Sequence, residues 1–307
     1  MTASALEIID PGPLATTQDL GRPGLMSMGV PRSGAADRDS LRLANRLVGN
    51  PEACVGIEAT FGGLRVRARG PLTIALTGAP AQARRNGQRV AHNSIVRLAD
   101  GDVLALGAPR AGVRTYLAVR GGLLPGLVLG SGSTDVLSGL GPAPLSIGVV
   151  LRVGTSPVNL PSIDLAPRPR LTNTTLELPL TWGPRADWLT SESRERLLDT
   201  EWTVTPTSNR IGLRLSGRPL ETRSDRELLS EGLGQGAIQV PREGQPILFL
   251  SDHPVTGGYP VVAVVDSGAI DAAGQAVPGQ RIRFRPSRAA AARQKPQLTG
   301  PNALGWA

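Results

Sequence analysis

"EATFGGLRVRARGPLTIALTGA", Glu58–Ala79, and "EGLGQGAIQVPREGQPILFLSDH", Glu231–His253, are two versions of one pattern. Each opens on a glutamate, meets a glycine five residues on (Gly63, Gly236) and continues into a strand of alternating character. Each then turns at a second glycine (Gly70, Gly244) into an apolar strand. Further along, each ends in a turn and another alternating strand, Ala99–Gly107 and Val277–Arg285. Agreement at several separated points marks an internal repeat, and it predicts two related β modules in tandem.

The composition fits that expectation. With 307 residues the chain is long enough for two ordinary domains. Apolar residues make up 40%, but aromatics only 3%, so aliphatic side chains must fill the cores. The 38 glycines and 27 prolines are spread along the chain, the punctuation of many short strands and turns. The chain is therefore expected to be mainly β, an α+β protein with few helices. "DRDSLRLANRLVGN" is the clearest helix: Asp37 caps it, Leu41, Ala44, Leu47 and Val48 share a face, and Gly49-Asn50-Pro51 ends it. A second is expected through "TSESRERLLDT", capped by Thr190 and anchored by Leu197 and Leu198. The predicted organisation is a first module over 1–165 carrying helix 37–48, a second over 166–286, and a flexible tail over 287–307. The Pro-rich stretch near 155–170 reads as the connector.

The net charge is +8, yet of 33 basic residues only Lys295 is lysine. The arginines are scattered, stacking aromatics are scarce, and no nucleic-acid-binding motif appears, so no nucleic-acid partner is expected. Arginine in excess leaves forks free for carboxylate or phosphate. The lone Cys54 forms no intrachain disulfide and no cysteine zinc site. No signal peptide is evident and no apolar run reaches membrane length, so a cytoplasmic protein with no membrane partner is expected. No metal site is expected either, because His92 and His253, the two histidines, fall in different modules. Neither a Gly-x-Ser-x-Gly elbow nor a Walker A loop is present.

Five stretches carry candidate chemistry. In "DLGRPGLMSMGVPRSGAADRDS", Arg22 is placed to clamp an anion, and Ser33 and Asp37 stand at a helix N-terminus that favours negative charge. Asp37 as a plain cap is the competing reading. "TYLAVRGGL" puts Arg120 at a strand end, and "TSNRIGLRLSG" puts Asn209 and Arg210 before Gly212; each arginine is either solvated at a turn or aimed at a carboxylate or phosphate. In "SEGLGQGAIQVP", Glu231 is a general base, a substrate anchor or a backbone acceptor, and Gln239 needs a partner in protein or ligand. "HPVTGGYP" sets Thr256, Gly257, Gly258 and Tyr259 side by side, either as a hairpin tip or as main chain approached by a ligand.

Taken in order, "DLGRPG…GVPRSGAADRDSLRLANRLVGNPE", "IEATFGGL", "AVRGG", "SNRIGLRLSG", "SEGLGQGAIQVPREGQPILFLSD" and "VTGGYPVVAVV" resemble the KipA-like, biotin-dependent carboxyltransferase family. That family is also described as allophanate hydrolase subunit 2 and includes the C subunit of bacterial 5-oxoprolinase. The likeness runs from about residue 8 to 286. One departure is Val255, where many members carry a Gln-Thr-Thr before the Gly-Gly-Tyr.

The resemblance implies two tandem cyclophilin-like β-barrel modules and a KipI-like (B-type) partner subunit. It implies one of three roles. The first is the C subunit of an ATP-dependent 5-oxoprolinase, acting with the KipI-like partner and a third, A-type subunit to open the lactam to glutamate. The second is the carboxyltransferase component of a urea carboxylase-type enzyme. The third is a non-catalytic regulator that binds the KipI-like partner. No cofactor is expected on this chain. ATP is used by the complex, or biotin sits on a partner carrier, since Lys295 in "RQKPQ" lacks the Met-Lys-Met setting of a biotin acceptor. An amide or lactam substrate needs donors fixed around its developing oxyanion. The expected division of roles is Gly257 and Gly258 as main-chain donors with Thr256 beside them. Asp37, Glu231 and Tyr259 are expected to move protons or donate, while Arg22, Ser33, Arg120, Asn209, Arg210 and Gln239 hold the substrate.

Overall fold

The computed structural model of the chain describes residues 4–157, 161, 163, 165–167, 171–223 and 228–287. Most of the expected tail, with Lys295, and part of the expected connector lie outside the described residues. Ser287 lies within them: its N–H donates to Leu180 O at 2.7 Å and its hydroxyl to Asp266 at 2.7 Å, so the second module takes it in.

The first module is built from two antiparallel sheets. One runs in the order Leu123–Leu124, Val150–Val153, Ala5–Asp10, Arg65–Arg69, Val103–Pro109, Ala81–Arg85, Gln88–Arg89. The other runs Leu14–Gln18, Gly56–Thr60, Arg114–Val119, Leu72–Gly78, Ile95–Leu98. The strand Arg65–Arg69 shows why they pack together. Its three arginines face water while Val66 and Ala68 point inward, the period of a half-buried strand. Leu6, Ile8, Val66 and Leu104 from one sheet meet Ile57, Ile74, Leu76 and Leu117 from the other in one core.

The second module closes into a seven-stranded barrel, in the order Leu176–Trp182, Val261–Val265, Ala237–Gln239, Ile247–Phe249, Gly212–Ser216, Trp202–Val204, Arg281–Pro286. Its interior holds Leu178, Trp202, Leu213, Ile238, Leu248, Val262 and Phe284. Trp202 is fully buried and satisfies its indole N–H on Leu197 O at 3.1 Å.

The repeat read from the sequence shows in the backbone at its paired glycines. Gly63 and Gly236 have φ of +79° and +89°, and Gly70 and Gly244 have +79° and +72°. All four lie in the left-handed region that costs a side-chain-bearing residue most. The leading glutamates do not match: Glu58 sits fully buried in Gly56–Thr60, whereas Glu231 lies on a two-stranded ribbon, Glu231–Gly232 against Thr256–Gly257.

Both expected helices form. Helix α1 spans Arg38–Leu47, with Asp37 accepting from Ser40 N at 2.9 Å. Ala44, Leu47 and Val48 pack on Ala75 and Ala118, whose small side chains let the helix lie close to the sheet. Helix α2 spans Ser191–Asp199, with Thr190 Oγ1 accepting from Ser193 N at 3.1 Å. No helix among the described residues is long and apolar enough to cross a membrane.

Candidate functional site

The two modules meet along a buried polar seam, and several predicted site residues are spent there. Arg210 is 1% exposed and Glu58 and Asp252 are 0% exposed. Arg210 donates Nε to Asp252 Oδ2 at 2.8 Å, Nη2 to Asp252 Oδ1 at 2.9 Å and to Gly34 O at 2.8 Å, and Nη1 to Glu58. All three guanidinium nitrogens are thereby committed to protein acceptors, drawn from both modules. Ser33 donates to Asp252 Oδ1 at 2.7 Å. Tyr116 donates to Glu58 Oε2 at 2.7 Å and accepts from Asp37 N at 2.8 Å. Gln275, from the second module, donates to Asp37 Oδ2 at 2.7 Å and accepts from Arg114 N at 2.9 Å.

These contacts correct three readings. Asp37 caps α1 and receives Gln275; it stands in the seam as a joint between modules, and no open surface faces its carboxylate. Ser33 and Arg210 hold Asp252 where a substrate group was expected. Burial pushes the Glu58 carboxyl up, but the Arg210 and Arg114 guanidiniums, Ala36 N–H and Tyr116 outweigh it and leave it below the usual carboxylate range. Tyr116 is driven well above its ordinary value by burial, then by Glu58 and Asp37.

Arg22 is likewise not an open anion clamp. It is 1% exposed, with Nε on Val128 O at 3.0 Å and Nη2 on Ser133 O at 2.7 Å. It fastens the loop that follows Gly122. Arg120 lies elsewhere: it donates to Val48 O at 2.9 Å and to Pro157 O, tying the C-terminal end of α1. Glu231 pairs with Arg185, whose Nε lies 3.1 Å from its Oε2. That hydrogen-bonded pair draws the Glu231 carboxyl below its ordinary value, which makes it a weak proton acceptor. Thr256 is exposed on the ribbon.

The remaining predicted residues come together. A cleft of about 360 Å³ lies beside the Gly-Gly-Tyr bend, and Asn209, Gln239, Gly257, Gly258 and Tyr259 all line it. Leu137, from the first module, closes one side; Phe249 and Pro254 extend the apolar wall. The two glycines do different work. A Cβ on Gly257 would sit 2.8 Å from Leu233 Cδ1 and 2.9 Å from Gln239 Nε2, so this glycine makes room for packed side chains. At Gly258 the nearest atom would be Leu228 O at 3.4 Å, so its main chain stays open. Gln239 finds its partner in the protein: buried at 3% exposure, it donates Nε2 to Tyr259 O at 2.8 Å and braces the bend from behind. Tyr259 is 46% exposed, on the rim.

His253, next to the bend, is 1% exposed, with Nδ1 2.8 Å from Pro254 O and its ring against Phe249. Burial pushes its imidazole below the ordinary value. Asp135 was not singled out by sequence, yet it is buried and its carboxyl is raised by that burial, with Asp252 adding repulsion. It stands in "STDVLSG", which carries no recognisable motif. Glu58, Asp252 and Gln275 were missed as a group because the contacts that join them across the seam, Arg210 to Glu58, Ser33 to Asp252 and Arg114 to Gln275, link positions more than 150 residues apart. No group of three His, Cys, Asp or Glu among the described residues is placed to hold a metal ion.

Residues 28–286 match the family described as carboxyltransferase domain, subdomain A and B. The chain belongs to that carboxyltransferase-domain family. It is similar to the 5-oxoprolinase C subunit of Escherichia coli, 36% identical over 91% of this chain and 90% of the relative. Its fold is similar to the solved structure of TTHA0988, with TM-score 0.84 and 33% identity over 93% of this chain. The urea amidolyase of K. lactis is similar too, with TM-score 0.86 and 30% identity over 96% of this chain. The chain spans 56% of the former protein and 19% of the latter.

Proposed function

We propose that the chain is the C-type component of an ATP-dependent 5-oxoprolinase. It acts with a KipI-like partner and a third subunit to open a lactam to its amino acid. The observation that carries this reading is the cleft beside Gly258, in a chain whose likeness to the 5-oxoprolinase C subunit runs through 91% of its length. An amide is planar and poorly reactive, so a site for it needs an open flat surface and fixed polar groups. Gly258 offers bare main chain, Gln239 holds that main chain in place, and Asn209 and the Tyr259 hydroxyl stand at the edges. The apolar wall of Phe249, Pro254 and Leu137 suits the methylenes of a five-membered ring. ATP enters through the assembled complex, and this chain contributes the pocket.

A second reading has its own support in the urea amidolyase likeness. There the chain is the carboxyltransferase component, biotin arrives on a partner carrier, and the amide is urea.

Co-expression with its two partner subunits and an assay of ATP- and 5-oxoproline-dependent glutamate release tests the first reading. Turnover of 5-oxoproline supports it. Carboxylation of urea in the presence of a biotin carrier supports the second. A tight complex inert in both assays overturns both and leaves the regulator.

A further inference from the structure

A second hollow, of about 210 Å³, opens on the seam between the modules. Leu14, Phe61 and Val113 of the first module and Leu213, Ala276 and Pro278 of the second give it an apolar wall. Strand register builds the first module's half. Leu14, Thr60 and Arg114 stand opposite one another on three neighbouring strands, and all three line the hollow. Thr60 lies two residues beyond Glu58, so its side chain leaves the sheet on the face that looks onto the seam.

One buried polar atom in that lining is unsatisfied. Thr60 is 8% exposed, and its Oγ1 has no hydrogen-bond partner among the described residues. The other polar groups of the lining are engaged. Arg210 is held by Asp252, Glu58 and Gly34 O. Arg114 donates to Gly274 O and sets its Nε 3.3 Å from Glu58 Oε1. Ser208 Oγ accepts from Arg214 N at 3.0 Å, and the exposed Asn209 accepts from Ile211 N at 2.8 Å. The two guanidiniums are thus met by two carboxylates, and a buried hydroxyl in an apolar wall is left for a ligand.

The chemistry of that ligand follows. It is neutral, because a charged one would have to break the buried pairs. It carries a hydroxyl, which can donate to Thr60 Oγ1 or accept from it. Its body is one ring. A dry cavity of about 150 Å³ accepts benzene, so about 210 Å³ takes a six-membered ring with a short polar arm. Phe61 favours an aromatic ring. It is 45% exposed at the mouth, and its backbone is held at φ +62° with its N–H on Val113 O at 2.7 Å. A residue with a bulky side chain adopts that conformation at a cost, and here it sets a phenyl ring where a second ring can pack.

We infer that this hollow is a second binding site, for a neutral single-ring aromatic alcohol whose hydroxyl pairs with Thr60 and whose ring lies on the apolar wall beside Phe61. The site stands apart from the lactam reading. Both modules supply its walls, so a bound molecule resists their separation. Asn209 borders this hollow and the cleft beside Gly258 alike.

Titrating the full-length chain with benzyl alcohol, toluene and benzoate, followed by calorimetry or ligand-detected NMR, tests the site. The wild type is expected to bind benzyl alcohol and to bind benzoate more weakly. Thr60→Val keeps the shape and removes the hydroxyl. It is expected to weaken benzyl alcohol about fivefold, the worth of one neutral hydrogen bond, and to hold toluene at least as tightly as the parent. Its urea midpoint is expected at or above that of the parent, since the hydroxyl has no partner to lose. Gly258→Val, in the cleft, is expected to leave benzyl alcohol binding unchanged. No binding of benzyl alcohol, which is the result for a hollow that holds water alone, would overturn the site. So would tighter binding of benzoate, an affinity for benzyl alcohol unmoved by Thr60→Val, or its loss in Gly258→Val. A lower urea midpoint for Thr60→Val would overturn it too, because the hydroxyl would then be bonded within the protein.

Discussion

Arg210 and Asp252 lie fork to fork, with Nε on Oδ2 at 2.8 Å and Nη2 on Oδ1 at 2.9 Å. Both belong to the second module, but the same guanidinium also reaches Glu58 and Gly34 of the first. Removing the arginine strands two carboxylates in a dry seam, the situation in which breaking a buried pair costs about 3–5 kcal/mol. Arg210→Met is therefore expected to lower the stability of the whole chain by about that amount in urea unfolding. A variant as stable as the parent would show that the seam does not hold the modules together.

Gly257 and Gly258 are adjacent and predict opposite outcomes. Gly257→Ala puts a methyl against Leu233 and Gln239, so Gln239 loses its place behind Tyr259 O; the expected result is a lower melting temperature. At Gly258 an added Cβ meets only the Leu228 carbonyl within 4 Å, and the residue lines the cleft, so Gly258→Val is the variant that crowds the cleft with least cost to packing. It is expected to leave the circular dichroism spectrum intact and abolish turnover of the reconstituted complex. Full turnover of Gly258→Val removes the cleft as the substrate site.

What could be read from sequence follows range of interaction. The caps Asp37 and Thr190 and the ends of α1 and α2 are local, and each formed within a residue of its expected place. The repeat was visible because positive-φ glycines are imposed by local backbone geometry. The Gly-Gly-Tyr bend was legible because two adjacent residues without side chains before an apolar run mark a local change of direction. The arginines were not. Arg210 and Arg22 look identical in sequence to a solvated or ligand-binding arginine, and only the approach of Glu58, Asp252 and the Val128–Ser133 carbonyls decides their role. Asp135 left no trace at all, since neither of its neighbours marks burial.

Glu231 was expected to carry a proton, and its partner argues otherwise. Arg185 holds the carboxylate ionised on a ribbon where both side chains are about a third exposed. Water screens such a pair, so Glu231→Gln is expected to leave the midpoint of urea unfolding close to that of the parent. Turnover of the complex is expected to stay near that of the parent. A large loss of kcat with the fold intact would restore Glu231 to the reaction.

Stability is expected to fall with acid in two windows. Burial holds the His253 imidazole below its ordinary value, so in the unfolded chain it takes up a proton near pH 6.5 while the folded form stays neutral. Asp252 and Asp135 facing it favour the proton and Arg38 opposes it, but burial outweighs them. The penalty is absent above about pH 6.5 and grows as pH falls below it. Glu58 acts lower. Its folded carboxyl titrates below the ordinary value, so its contribution is complete above about pH 4.3 and is lost as pH drops through the folded value. Asp135, raised by burial, works in the opposite direction, adding stability as pH falls through its raised folded value toward about 3.9. Urea unfolding at a series of pH values should show both slopes. His253→Gln is expected to flatten the stretch just below pH 6.5, and Glu58→Gln to flatten the acid limb while lowering stability at neutral pH. A parent curve level between pH 7 and 5 would mean that His253 titrates alike in both states.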